Sequence, residues 1–119
     1  MSGWTPVCPL ERIRPESGVA ALVGGVAVAV FRTAGDEVHA LSNLDPRTGA
    51  SVLSRGIVGT RGDEHFVASP LHKQPFRLRD GVCLDDPAVR VGTWEARVVD
   101  GMVLVGDPRS APDDRPEGR

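Results

Sequence analysis

The longest apolar run of this chain, Val19 to Phe31, is cut in the middle by Gly24-Gly25, and that cut decides what it can become. Each half is about five residues long, far short of the roughly 20 that a membrane-spanning helix needs and well suited to a strand. Two adjacent glycines accept the positive φ angles of a tight two-residue turn, so the run reads as a β-hairpin.

The same punctuation recurs down the chain. Thr33-Ala34-Gly35-Asp36 makes a turn before a strand over Glu37–Ser42, and Gly56-Ile57-Val58-Gly59 opens a further strand. Thr60-Arg61-Gly62-Asp63 is the next turn, followed by a strand over His65–Ala68. Phe76-Arg77-Leu78-Arg79 alternates apolar with basic side chains and stops at Asp80-Gly81, a favoured hairpin turn. The last hairpin is the clearest, with Trp94–Val99 joined to Met102–Val105 by Asp100-Gly101. No stretch shows a sustained helical period, and roughly eight or nine short strands predict an all-β antiparallel sandwich or barrel. Val28, Val30, Phe66, Val98 and Val103 are expected in its core, together with Trp4 and Trp94.

A chain of 119 residues fits one compact domain. Its net charge of -2 provides no basic field for nucleic acid. Nothing in it reads as a membrane span, and the N-terminus shows no basic-then-apolar leader, so a cytoplasmic location is expected. Cys8 and Cys83 lie outside any metal-ligand spacing and are expected as small buried side chains, not as a disulfide. Beyond Gly106 the segment 107–119 holds no apolar residue larger than Ala or Pro and reads as a disordered tail.

Two loops stand out, Asn43-Leu44-Asp45-Pro46-Arg47-Thr48-Gly49-Ala50 and Ser69-Pro70-Leu71-His72-Lys73-Gln74-Pro75-Phe76. They resemble the two cluster-binding loops of a Rieske ferredoxin, each of which gives one Cys and one His to a [2Fe-2S] centre. Matching on the Pro and Gly positions puts Asp45 at the first Cys, Arg47 at the first His, Ser69 at the second Cys and His72 at the second His. No Cys or His lies between Leu41 and Arg61, so the loss does not depend on the register of the match. Arg cannot be deprotonated to ligate iron, and Asp or Ser oxygen is a poor substitute for thiolate at a sulfide-bridged cluster.

The resemblance extends from about Trp4 to Val105, essentially the whole domain ahead of the expected tail. Val52-Leu53-Ser54-Arg55-Gly56-Ile57-Val58-Gly59, Ala68-Ser69-Pro70-Leu71-His72-Lys73-Gln74-Pro75-Phe76 and Cys83-Leu84-Asp85-Asp86-Pro87 are similar to the small subunit of the assimilatory NAD(P)H-dependent nitrite reductase. This implies a Rieske-like β domain over residues 1–106, with an inserted loop subdomain at about 43–79 and with no cofactor or metal of its own. It also implies a large-subunit partner that holds FAD, a [4Fe-4S] cluster and sirohaem and reduces nitrite to ammonium. The competing readings are a Rieske-type ferredoxin serving an oxygenase, which the missing ligands disfavour, and a non-enzymatic β-domain interaction module.

Individual residues carry further expectations. Asp45, Arg47 and the Ser69 hydroxyl either form a hydrogen-bonded network where a cluster would sit or face water separately. Pro46 and Pro70 force Asp45 and Ser69 toward extended geometry and aim both loops. Arg55, Lys73 and Gln74, near the loop tips, are the candidate partner interface. His72, His39 and His65 are expected as structural or surface residues, since none has a nucleophile or ligand partner in sequence.

Overall fold

The computed structural model describes residues 3–109. Nine strands form two sheets: β1 (Thr5–Pro9), β2 (Ser17–Val23), β3 (Val26–Arg32), β4 (Val38–Ser42), β5 (Ile57–Arg61), β6 (Glu64–Ala68), β7 (Pro75–Arg77), β8 (Thr93–Val99) and β9 (Met102–Pro108). Six of them pair in the order β1-β9-β8-β4-β3-β2, and β5-β6-β7 make a separate antiparallel sheet. The fold is therefore all-β, as the punctuation of the sequence implies.

Strand β3 explains why one apolar run anchors the whole domain. Val28, Ala29, Val30 and Phe31 are all fully buried, and successive side chains point to opposite faces. Val28 and Val30 pack with Ile13, Ala40, Val103 and Val105 inside the six-stranded sheet. Ala29 and Phe31 pack on the other face with Leu41, Leu53, Val67, Phe76 and Leu78, the core shared with the small sheet. The loop-bearing sheet is thus fixed to the larger one by the reverse face of the same strand.

The hairpin turns take the geometry their residues favour. Gly24 and Gly25 have φ of 58° and 84°, and Asp100 and Gly101 have 50° and 78°. Positive φ at both central residues matches the right-handed twist of the paired strands.

The structure departs from the sequence reading in four places. Thr5–Pro9 is a strand where the turn punctuation of the sequence marked none, and it holds two prolines, Pro6 and Pro9. It pairs only with β9, with a bulge between Pro6 and Cys8, which is where prolines are tolerated. The strand read as Phe76–Arg79 ends at Arg77. Instead of a hairpin after Asp80-Gly81 there are isolated bridges, Phe76 with Cys83 and Val82 with Arg90, because Asp80 pulls the turn onto itself. Its carboxylate takes both Arg77 Nε (2.9 Å) and Val82 N–H (3.1 Å). Last, β9 runs on to Pro108, and Arg109 N donates to Thr93 O at 2.8 Å, so the domain continues past residue 106. Of the tail expected at 107–119, residues 110–119 lie outside the described residues.

Of the expected core, Val28, Val30 and Val103 are fully buried, while Phe66, Val98, Trp4 and Trp94 are half-buried. Cys8 and Cys83 are both free, and Cys83 belongs to the shared core. Among the described residues no helix is long and apolar enough to cross a membrane.

Candidate functional site

The two loops singled out in the sequence are built on one backbone plan. In the first, Asp45 N donates to Ala50 O (2.8 Å) and Gly49 N donates to Asp45 O (2.7 Å). In the second, Ser69 N donates to Gln74 O (2.9 Å) and Lys73 N donates to Ser69 O (2.8 Å). Each loop carries proline directly after its first residue and a left-handed residue four positions on, Gly49 at φ 76° and Lys73 at φ 57°. Each also folds its first side chain back on the main chain: Arg47 N donates to Asp45 Oδ1 (2.8 Å), and Leu71 N to Ser69 Oγ (3.3 Å). Asp45 and Ser69 are therefore equivalent positions of twin loops.

They meet in the interior. Ser69 Oγ–H donates to Asp45 Oδ2, a contact that ties the two loops together, and both residues are sealed from solvent. Burial alone would raise the Asp45 pKa. The Ser69 hydroxyl, the backbone N–H groups of Arg47 and Thr48 and the nearby His72 charge outweigh it and hold the carboxyl below its ordinary value.

Asn43, which sequence reasoning did not single out, completes the interior. It is 2% exposed. Its Nδ2 donates to Ser51 Oγ (2.8 Å), its Oδ1 accepts Ser54 N–H (2.6 Å), and its carbonyl accepts the N–H groups of Val52 and Leu53. The one sequence signal was an amide at a strand end, two residues before Asp-Pro, where side-chain to backbone bonds are common. The Ser54-Arg55-Gly56 segment is placed by this residue from one side. From the other, a Cβ on Gly56 would lie 2.3 Å from Ala68 O, so only glycine lets the short 3-10 helix Leu53–Arg55 abut β6 just before Ser69.

The remaining predicted residues face outward. The side chains of Arg47, His72, Lys73 and Arg55 are exposed. The expected network is thus realised by Asp45 and Ser69 with the Arg47 backbone, while the Arg47 guanidinium is directed to solvent. Gln74 is half-buried, and its Oε1 finds no donor among the described residues. Leu44, directly before Asp45, is 43% exposed, and Leu71, two residues after Ser69, is 48% exposed.

Elsewhere, His39 Nε2 lies 3.5 Å from Glu37 Oε1; burial lowers its pKa and Glu37 partly restores it. Trp4 and Trp94 line an open groove of about 410 Å³, with Arg97 over the Trp4 ring at 4.0 Å. Neither place brings a nucleophile to a base.

The residues at the four matched positions do not fit an iron–sulfur cluster. Asp45 and Ser69 are bonded to each other in the closed interior, Arg47 carries a permanent cation, and only His72 is of a ligand type that such a centre uses. Among the described residues, no three of His, Cys, Asp or Glu converge as a metal site. What the arrangement offers is a rigid pair of loops with a cationic, partly apolar tip.

Residues 3–106 match the Rieske-like [2Fe-2S] domain family. The NADH nitrite reductase small subunit of Escherichia coli K12 is 50% identical over 104 residues, which cover 87% of this chain and 96% of that protein. The crystal structure of a Mycobacterium tuberculosis chain assigned as an NADH-dependent nitrite reductase small subunit superposes with a TM-score of 0.86 at 46% identity, covering 89% of this chain and 96% of that one. The NAD(P)H nitrite reductase large subunit of Klebsiella oxytoca holds a stretch 44% identical over 104 residues, spanning 87% of this chain and only 11% of that protein. With its strands, its twin loops and its sequence all in agreement, the chain belongs to the Rieske-like domain family and, within it, to the small subunits of NAD(P)H nitrite reductase.

Proposed function

We propose that this chain acts in the cytoplasm, in nitrate assimilation, as a subunit that carries no redox centre. It docks on a large subunit that holds FAD, a [4Fe-4S] cluster and sirohaem and reduces nitrite to ammonium. The observation that carries this reading is the Klebsiella oxytoca large subunit, in which a domain 44% identical to this chain is part of the large polypeptide itself. A domain found both as a separate small subunit and inside the large chain belongs to one assembly. In this reading Asp45, Arg47, Ser69 and His72 are the remnant of a cluster site. The two inner positions have become a hydrogen-bonded clasp that holds the loops in the metal's place. Arg55, Lys73 and Gln74 contribute to the partner interface.

Co-expression with the sirohaem-containing large subunit tests this. The chain is expected to co-purify, and nitrite reduction by the complex should exceed that of the large subunit alone. No association together with unchanged activity would overturn the subunit reading. The visible absorption of a [2Fe-2S] centre in the purified chain would overturn the absence of a redox centre and favour the electron-carrier alternative.

A further inference from the structure

Lys73 occupies a backbone position that suits glycine. Its φ of 57° is left-handed, a region that costs an L-residue with a Cβ roughly 1–2 kcal/mol. The twin loop fills the same position with Gly49. Three other non-glycine residues share this geometry, Glu16, Asp36 and Asp100. The short carboxylate side chains of the two aspartates tolerate it. A long, branchless lysine gains no such local bond, and its side chain is exposed. Strain held at a loop tip points to a role for the side chain.

The surroundings show what that role requires. Across both loops, residues 43–50 and 69–76, the exposed ionisable side chains are Arg47, His72 and Lys73, although the whole chain carries a net charge of -2. The one carboxylate of these loops, Asp45, is buried and bonded to Ser69. Leu44, next to Asp45 in the chain, and Leu71, two residues after Ser69, expose nearly half their surface. Exposed apolar side chains together with charge of one sign suit a docking patch that selects an oppositely charged partner. The paired backbone bonds of each loop and the clasp between them fix the patch before binding, which lowers the ordering cost of association.

We propose that Lys73 is the anchor of a docking face, completed by Leu44, Arg47, Leu71 and His72, that binds an acidic surface with an apolar centre on the nitrite reductase large subunit. This rests on the subunit reading above and adds to it the face used and the chemistry of its counterpart.

The test measures binding of the purified full-length chain to the purified sirohaem-containing large subunit at low and at physiological salt. Three variants are compared with the wild type: Lys73→Gly, the double variant R47E/K73E, and Arg14→Glu as a control. Arg14 adjoins Ile13, whose carbonyl accepts Arg32 Nη1 at 2.7 Å. Arg32 ends β3 opposite Val38, whereas Val28 pairs with Ser42 beside the first loop, so Arg14 lies at the far end of the sheet. Lys73→Gly is expected to fold at least as well as wild type yet bind about tenfold more weakly. The double reversal should abolish binding, salt should weaken the wild-type complex, and Arg14→Glu should bind as wild type does. Wild-type binding that neither salt nor any tip variant alters would overturn the docking face while leaving the subunit reading intact. No wild-type binding at either salt would overturn both.

Discussion

The inward and outward halves of the same two loops follow opposite rules. Asn43, Asp45 and Ser69 are buried polar residues whose hydrogen-bonding groups are taken up inside the domain. Arg47, His72 and Lys73, within four residues of them in sequence, hold their side chains in solvent. The inner set determines where the loops are; the outer set determines what they can touch. A buried carboxylate with a hydroxyl donor holds the two loops together at their equivalent positions.

Asp45→Ala should break this division most severely. It removes the acceptor of both the buried Ser69 Oγ–H and the part-buried Arg47 N–H, a loss on the order of 3 kcal/mol. Ser69→Ala should cost about 2 kcal/mol, because hydrogen bonds to charged groups are worth about 1.5–3 kcal/mol. In a double-mutant cycle by urea unfolding the two should be non-additive, the pair sharing one interaction. Additive losses would show that the loops are held by something other than the clasp.

Acid should find the same residue. Because the folded state holds the Asp45 carboxyl below its ordinary pKa, the clasp's contribution is complete above the usual carboxylate value, about 3.9. It is lost as pH falls through the folded value. Thermal melts between pH 7 and pH 3 should therefore show a drop at the acid end that Asp45→Asn flattens. An identical acid limb in that variant would mean other carboxylates govern it.

The sequence exposed the scaffold more readily than the clasp. Period-two patterning and Gly-Gly or Asp-Gly turns mark strands whatever their partners, so β2, β3, β8 and β9 were legible. Strand β1 was not, because its prolines are permitted only by an edge position that sequence does not reveal. The identities of Asp45 and Ser69 were visible, and so was the proline after each. Their meeting was not, for it depends on β3 fastening the small sheet to the large one through Phe31, Leu53 and Phe76. Lys73 gave no sign of its strain either, since φ is a property of the closed loop and not of the residue.

That strain supplies a smaller effect of the opposite sign. Replacing Lys73 by Gly relieves about 1–2 kcal/mol of left-handed cost but adds about 0.5–1 kcal/mol of chain entropy to be lost on folding. The net is a gain of up to about 1.5 kcal/mol, read as a higher urea midpoint at unchanged slope. A loss of stability in this variant would mean that the lysine side chain holds its own loop, and would move it from the outward set to the inward one.

Arg47 belongs to both sets at once, and it provides the finest test. Its N–H is fixed on Asp45 Oδ1, while its guanidinium stands in solvent. Arg47→Ala keeps the first and deletes the second. Surface truncations that leave caps, bonds and backbone conformation in place change stability by no more than about 0.5 kcal/mol, and Asp45 would retain every donor it has. The unfolding midpoint should therefore stay within that margin, while association with the large subunit weakens in a salt-dependent way. If the same truncation instead cost as much as Ser69→Ala, the guanidinium would have to be part of the clasp, and the separation between what positions the loops and what they present would not hold at this residue.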